Sequence, residues 1–331
     1  MKKIIYAVLC ALCCACSSDD DEIAEVLPPV SDEEEIVEDT TATETVAELD
    51  SMEFCCTRDS LNIYGLLYKK VAAGRKVPAV ILSHSNSLTH SAMKDYARAI
   101  ADKGMVAYCF DFCGGSTESR SDGSTDDMTV FSEVDDLHAV LTAIRRLDYV
   151  NTDSVYLLGS SQGGLVSALV AEQRASDLCG MLLFYPAFNL PEMVKMFSDM
   201  MNQWGGSLGG GSWGGGSWGN SSWGSGFGGF GTMSETYVNA IKDYDVWSHI
   251  GTFPHPITIV HGSADIIVPV SYSEKAVSIY QQANPDVHLH VIEGANHGFN
   301  AANLGSMGSL MGATADYDDQ VMPVVYQFLH R

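Results

Sequence analysis

A serine hydroxyl is a useful nucleophile only when a base takes its proton, and an imidazole serves as that base when a carboxylate fixes its tautomer. One serine of this chain sits in a motif built for that role. Gly159-Ser160-Ser161-Gln162-Gly163 fits G-x-S-x-G, the sharp strand-to-helix turn that lifts a serine to its apex. The pattern alone discriminates poorly, because Gly205 to Gly209, Gly210 to Gly214 and Gly215 to Gly219 fit it too, in a stretch made largely of Gly, Ser and Trp. Context separates them. Only Ser161 follows an apolar run, Val155-Tyr156-Leu157-Leu158, and precedes an amphipathic one, Leu165 to Val170.

The acid and base that Ser161 needs are expected downstream. His261-Gly262-Ser263-Ala264-Asp265 follows the strand-like Ile257-Thr258-Ile259-Val260, and Gly294-Ala295-Asn296-His297-Gly298-Phe299 follows one ending at Ile292 and Glu293. Asp265 and His297 thus emerge at the C-terminal ends of strands, where open α/β sheets place their sites. Among the competing acids, Asp245, Asp286 and Glu293 read as surface or capping residues. His84 precedes the nucleophile and His261 precedes the acid, so both read as loop organisers; His288 and His290 alternate along a strand and read as exposed or half-buried. The chemistry expected is attack by Ser161 on an ester carbonyl, proton transfer through His297, and orientation of His297 by Asp265. That reaction calls for no metal ion and no organic cofactor.

These residues need a sheet to hold them. From residue 52 onward short apolar runs alternate with helix-length amphipathic segments, the signature of a mostly parallel sheet covered on both faces. Strands are predicted over 52–58, 61–70, 79–84, 105–112, 154–160, 180–184, 256–260 and 287–292. Helices are predicted over 91–103, 131–147, 163–175, 271–282 and 315–330. An interruption at 189–252 falls between the sixth and seventh strands. Inside it, residues 204–231 are dominated by Gly, Ser and Trp, with Trp204, Trp213, Trp218 and Trp223 spaced by nine, five and five. Glycine at that density opposes regular structure. Two readings stay open for this segment, a disordered loop or an adaptable aromatic lid whose tryptophans stack on substrate or sugar.

The net charge of −24 is misleading until it is located. Fifteen acidic residues and no Lys or Arg lie between Asp19 and Glu53, leaving 27 acids against 16 bases in residues 54–331. The acidic balance argues against a nucleic-acid partner. Residues 1–15 form an export signal, with Lys2 and Lys3 ahead of an apolar run too short to span a bilayer. Leu12-Cys13-Cys14-Ala15-Cys16 resembles a bacterial lipobox, which makes Cys16 the expected lipidation site; an ordinary signal peptide cut nearby is the alternative. Residues 16–50 read as an acidic tether too polar to order themselves. Their start, Ser17-Ser18-Asp19-Asp20-Asp21-Glu22, resembles the export signal of surface lipoproteins. The expected address is the outer membrane, surface-exposed, with its periplasmic face as the alternative. The hydrolase domain is then 51–331. Beyond Cys16 five cysteines remain, Cys55, Cys56, Cys109, Cys113 and Cys179; their odd number and spacing suggest mainly buried small hydrophobes.

From about residue 60 to 330 the chain resembles the α/β-hydrolase superfamily, and within it the feruloyl (cinnamoyl) esterase-like carboxylesterases. The resemblance is carried by Gly159 to Gly164, by Phe110-Asp111-Phe112-Cys113-Gly114-Gly115-Ser116, by His261-Gly262 with Asp265, Val268-Pro269 and Ser271, and by Glu293 to Phe299. It implies an α/β-hydrolase fold with a lid insertion between strands six and seven. It also implies an oxyanion hole formed by the backbone N–H groups of Gln162 and Asn86, although Ser85 stands where relatives carry glycine. The substrate class implied is a small-molecule or polysaccharide-linked ester, with no obligate protein partner. A serine peptidase or acyltransferase would use the same residues, and a surface glycan-binding lipoprotein with an idle triad is an alternative of another class.

Overall fold

The computed structural model describes residues 48–205, 233–299 and 316–331. Its strands are β1 (Asp50–Arg58), β2 (Leu61–Lys69), β3 (Val77–Ser83), β4 (Val106–Phe110), β5 (Val150–Ser160), β6 (Gly180–Phe184), β7 (Ile257–Gly262) and β8 (Val287–Ile292). The helices are α1 (Lys94–Asp102), α2 (Val130–Ile144), α3 (Gln162–Gln173), α4 (Leu190–Gly205), α5 (Glu235–Ile241), α6 (Val270–Tyr280) and α7 (Asp318–Leu329). All eight strands join one sheet in the order β1-β2-β4-β3-β5-β6-β7-β8. β1 with β2 and β2 with β4 are antiparallel, and every later neighbour pair is parallel. This is the α/β-hydrolase fold that the strand pattern and the resemblance imply.

The strands that are apolar throughout are those covered on both faces. Because side chains alternate along a strand, each one feeds two cores. Ala79 and Ile81 of β3, Val106, Tyr108 and Phe110 of β4, and Leu157 of β5 pack with α2 and α3. Their neighbours Val80, Leu82, Ala107, Cys109 and Leu158 pack instead with Tyr96, Ala97 and Ile100 of α1 and with Val321, Val325 and Phe328 of α7. Among the described strands β1 has only one neighbour, and its nine residues are exposed or half-buried. That edge position corrects the expectation for Cys55 and Cys56, and Cys179, just before β6, departs from it as well. Cys55 is exposed, Cys56 and Cys179 are half-buried, and only Cys109 and Cys113 are buried; all five thiols are free. Burial nonetheless pushes the thiols of Cys56, Cys109 and Cys113 up to about 12, far from the range of a reactive thiolate.

Between β6 and β7 the insertion contributes α4 and α5, two helices on either side of the Gly/Ser/Trp-rich 204–231 for which the sequence reading of the 189–252 interruption predicts no element. Their local signals are conventional. Pro191 occupies the first turn of α4, where its missing N–H costs no hydrogen bond, and the Ser234 side chain caps α5 by accepting from Tyr237 N at 3.1 Å. Almost all of the Gly/Ser/Trp segment, together with Cys16, the export signal and the tether as far as residue 47, lies outside the described residues. Among the described residues no helix is long and apolar enough to cross a membrane.

Candidate active site

The turn from β5 into α3 is tight enough to dictate its glycines. A Cβ on Gly159 would collide with the Gly163 carbonyl and the Ser167 hydroxyl, and one on Gly163 would collide with the carbonyls of Ser83 and His84 on the neighbouring strand. Between them Ser161 adopts φ 51°, ψ −116°, a region that costs a non-glycine residue on the order of 1–3 kcal/mol and is held only by over-determined surroundings. Those surroundings are visible. Ser161 N donates to Phe184 O at 2.9 Å, and its own carbonyl accepts from Gly164, Leu165 and Ala187 N at 2.9–3.1 Å.

Ser161, Asp265 and His297 come together although they are far apart in the chain. His297 Nε2 lies 2.9 Å from Ser161 Oγ, and His297 Nδ1 lies 2.7 Å from Asp265 Oδ2. The carboxylate at Nδ1 fixes the ring with its N–H on that side, leaving Nε2 to accept the serine proton. All three side chains are buried. The ring of Tyr185 lies 4.5 Å from that of His297 and makes an edge contact with Phe299 at 4.8 Å, which packs the imidazole in place.

Asp265 is held from several sides. Its Oδ1 accepts from Ile267 N and Val268 N, each at 2.9 Å, while His261 Nε2 stands 3.3 Å from Oδ2 and donates at 2.7 Å to the Val268 carbonyl. Burial favours the neutral acid, but the hydrogen bonds from His261, His297 and the Val268 backbone outweigh it and hold the carboxyl well below its usual range. His261 itself is anchored by Ser273 Oγ at 2.7 Å. The expectation that His261 and His84 organise loops holds: His84 Nδ1 contacts Ser85 O at 2.8 Å, and its Nε2 accepts from Phe112 N at 3.2 Å. His288 is exposed and His290 half-buried. Asp245 caps a short 3₁₀ turn, Asp286 pairs with Arg331 on the surface, and Glu293 is exposed.

Gln162 is the first residue of α3, so its backbone N–H is one of the unpaired donors at a helix N-terminus. Among the described residues neither that N–H nor the N–H of Asn86 has a protein acceptor. Asn86 is half-buried on the loop after β3, next to Ser87 at φ 58°. Ser85 ties this loop to the elbow, its hydroxyl lying 3.0 Å from Ser160 Oγ. Among the described residues no cluster of His, Cys, Asp or Glu is arranged to hold a metal ion.

The side chain of Gln162 belongs to a chain of contacts that the motif does not disclose. Its Nε2 donates to Glu133 Oε2 at 2.7 Å, and its Oε1 accepts from Tyr237 O–H at 2.5 Å. Glu133, in the first turn of α2, is buried and among the described residues has no cationic partner; burial, with Asp136 adding a like charge, outweighs the Gln162 hydrogen bond and pushes its carboxyl up to about 8. One signal for Glu133 was available: with Val130, Leu137, Leu141 and Ile144 it occupies the apolar stripe of its helix. No local pattern marks Tyr237.

The model of the family described as serine aminopeptidase, S33, matches residues 75–212, a stretch that includes Ser161 but neither Asp265 nor His297. No curated protein matches the sequence. Among solved structures, Est1E from Butyrivibrio proteoclasticus with ferulic acid bound is similar at 19% identity, covering 84% of this chain and all of that one, with a TM-score of 0.61. The α/β hydrolase GrgF from Penicillium sp. sh18 is similar at 17% identity, covering 85% and 98% of the two chains, with a TM-score of 0.57. The esterase Pf2001 of Pyrococcus furiosus follows at 16% identity, covering 86% and 92%, with a TM-score of 0.56. At these identities the likeness establishes the fold.

Proposed function

We propose that this chain, an α/β-hydrolase by fold, is a serine hydrolase that cleaves carboxylic esters through an acyl-enzyme. The observation that carries the reading is the unbroken contact from Ser161 Oγ through His297 to Asp265, at 2.9 and 2.7 Å. His297 Nε2 takes the serine proton as Oγ attacks the ester carbonyl. The tetrahedral oxyanion is received by the Gln162 N–H, aided by the positive end of α3, and by the Asn86 N–H. The imidazolium, stabilised by ionised Asp265, then protonates the leaving alcohol. Water activated by the same imidazole releases the acid and restores Ser161.

The substrate class is an aryl, alkyl or carbohydrate-linked acyl ester. An aromatic acyl group is supported by the likeness to a protein whose structure holds ferulic acid. A second reading, a peptidase, is favoured by the match to the aminopeptidase family. The two separate on substrates: with p-nitrophenyl and feruloyl esters beside aminoacyl p-nitroanilides, the ester reading expects turnover of the esters alone. A fluorophosphonate probe should label the wild-type protein and not Ser161→Ala, whose kcat should fall roughly 10⁵–10⁶-fold. Labelling unchanged in that variant would refute the site, and an unlabelled wild type would favour a glycan-binding lipoprotein with an idle triad. We further propose that Cys16 is lipidated and anchors the protein at the outer membrane, facing outward. Cys16→Ala should then abolish incorporation of a palmitate analogue and release the protein from membranes; unchanged incorporation would refute Cys16 as the site.

A further inference from the structure

Gln162 faces two ways. Its backbone N–H opens toward the reaction, while its carboxamide runs inward to Glu133 of α2 and Tyr237 of α5. All three side chains are buried, at 1%, 1% and 2% exposure for Gln162, Glu133 and Tyr237. In such surroundings a broken hydrogen bond cannot be replaced by water, so the three groups must move together. α2 and α3 pack directly on the sheet, and α5, which comes from the insertion between β6 and β7, joins the same core through Tyr237, Val238 and Ile241. The contact between Tyr237 and Gln162 therefore joins the insertion to the residue beside the nucleophile.

We infer that Glu133 and Tyr237 are positioning residues for the reaction: they clamp the Gln162 side chain from opposite ends, and so fix its backbone N–H against the developing oxyanion and make that alignment depend on where the insertion sits. This inference rests on the ester-hydrolase reading above. The protonation state of Glu133 follows from its setting. Asp136 on the same helix is the charged neighbour acting on it; α3 presents the neutral Gln162, α5 presents the Tyr237 phenol, and the loop after β4 presents Gly115. With a carboxyl raised to about 8, the clamp is neutral at pH 7. Its ionisation at higher pH puts an uncompensated negative charge two hydrogen bonds behind the oxyanion, where it opposes the transition state.

The test is steady-state kinetics of the whole protein on p-nitrophenyl acetate and a slower alkyl ester, with wild type, Tyr237→Phe, Glu133→Gln and Glu133→Ala. Tyr237→Phe and Glu133→Ala are expected to lower kcat roughly ten- to a hundredfold, short of the 10²–10³ that follows outright loss of an oxyanion donor, with KM within about twofold. Glu133→Gln keeps an acceptor for Gln162 and should restore kcat at pH 7 to within about threefold. Wild-type kcat should also fall as pH rises through about 8, and this fall should be missing in Glu133→Gln. Folded Tyr237→Phe with unchanged kcat, or a rise in KM alone, would overturn the inference. So would an alkaline fall of equal size in Glu133→Gln. If Glu133→Ala does not fold, Tyr237→Phe, which removes one hydroxyl, and the pH profile of Glu133→Gln decide. Absence of fluorophosphonate labelling in the wild type would instead mean that the ester-hydrolase reading has failed, and the two failures are thereby told apart.

Discussion

The loop after β7 and the first turn of α2 each bury a carboxylate close to Ser161, and they leave the two in opposite states. Asp265 is held well below its usual range, whereas Glu133 is raised to about 8. Burial pushes both upward. What differs is the supply of donors. Asp265 receives two backbone N–H groups on one oxygen and two imidazoles near the other. Glu133 has one carboxamide N–H, and the charge that acts on it is that of Asp136. Depth alone therefore does not decide which acid is ionised; the hydrogen bonds offered to the charged form do. In the proposed reaction the same division keeps an anion where an imidazolium must be stabilised and a neutral acid where negative charge would develop.

The comparison breaks most visibly at Asp265. Asp265→Asn removes the charge and presents an amide that cannot hold the His297 tautomer in the same way, so kcat should fall roughly 10⁴-fold while the fold persists. Turnover of p-nitrophenyl acetate measures it, and a variant retaining a tenth of wild-type kcat would mean that the carboxylate is structural.

A smaller effect sharpens the contrast through stability. Asp265 has a folded-state pKa below the ordinary 3.8, so the stability it contributes is present above that pH and is lost as pH falls through the depressed value. Glu133 has the opposite sign. Raised from 4.5 to about 8, it contributes stability that is complete below 4.5 and is lost as pH rises toward 8. Thermal melting of Glu133→Gln should therefore gain on wild type steadily between pH 4.5 and 8, at about 2–4 °C for each kcal/mol. Parallel melting profiles over that window would show that Glu133 is ionised in the folded protein after all.

The parts of this molecule that were legible in its sequence share a cause. A buried parallel strand must be apolar along its length, and a residue leaving its C-terminal end is marked by the run before it, which is why Ser161, Asp265 and His297 could be read as a set. His261 could be separated from Asp265 by chain order, and His84 from His297 in the same way. The helices of the insertion could not be read, because the glycine-rich tract beside them dominates the local composition and their caps, Pro191 and Ser234, are weak signals alone. Glu133 went unread although, as a carboxylate on an apolar helical stripe, it carried a signal, and its link to Tyr237 carried none. Tyr237 reaches Gln162 across 75 residues of chain, and no periodicity reports a contact of that kind. For the cysteines the composition misled, because it does not say which strand lies at the edge of a sheet.

The separation of the three site residues along the chain has a consequence in time. The hydrogen bond that Ser161 donates to His297 Nε2 spans 136 residues of chain, and His297 stands on the turn that leaves β8, the last of the described strands in sequence and one edge of the described sheet. Contacts so distant in sequence form only after much of the intervening chain is ordered, because loop closure must precede their gain. A chain that has built its elbow but not yet laid β8 against β7 carries an ordinary alcohol at Ser161, without a base. In the proposed reaction the nucleophile is thus armed only when β8 is in place, and a chain short of that stage lacks the base that Ser161 needs.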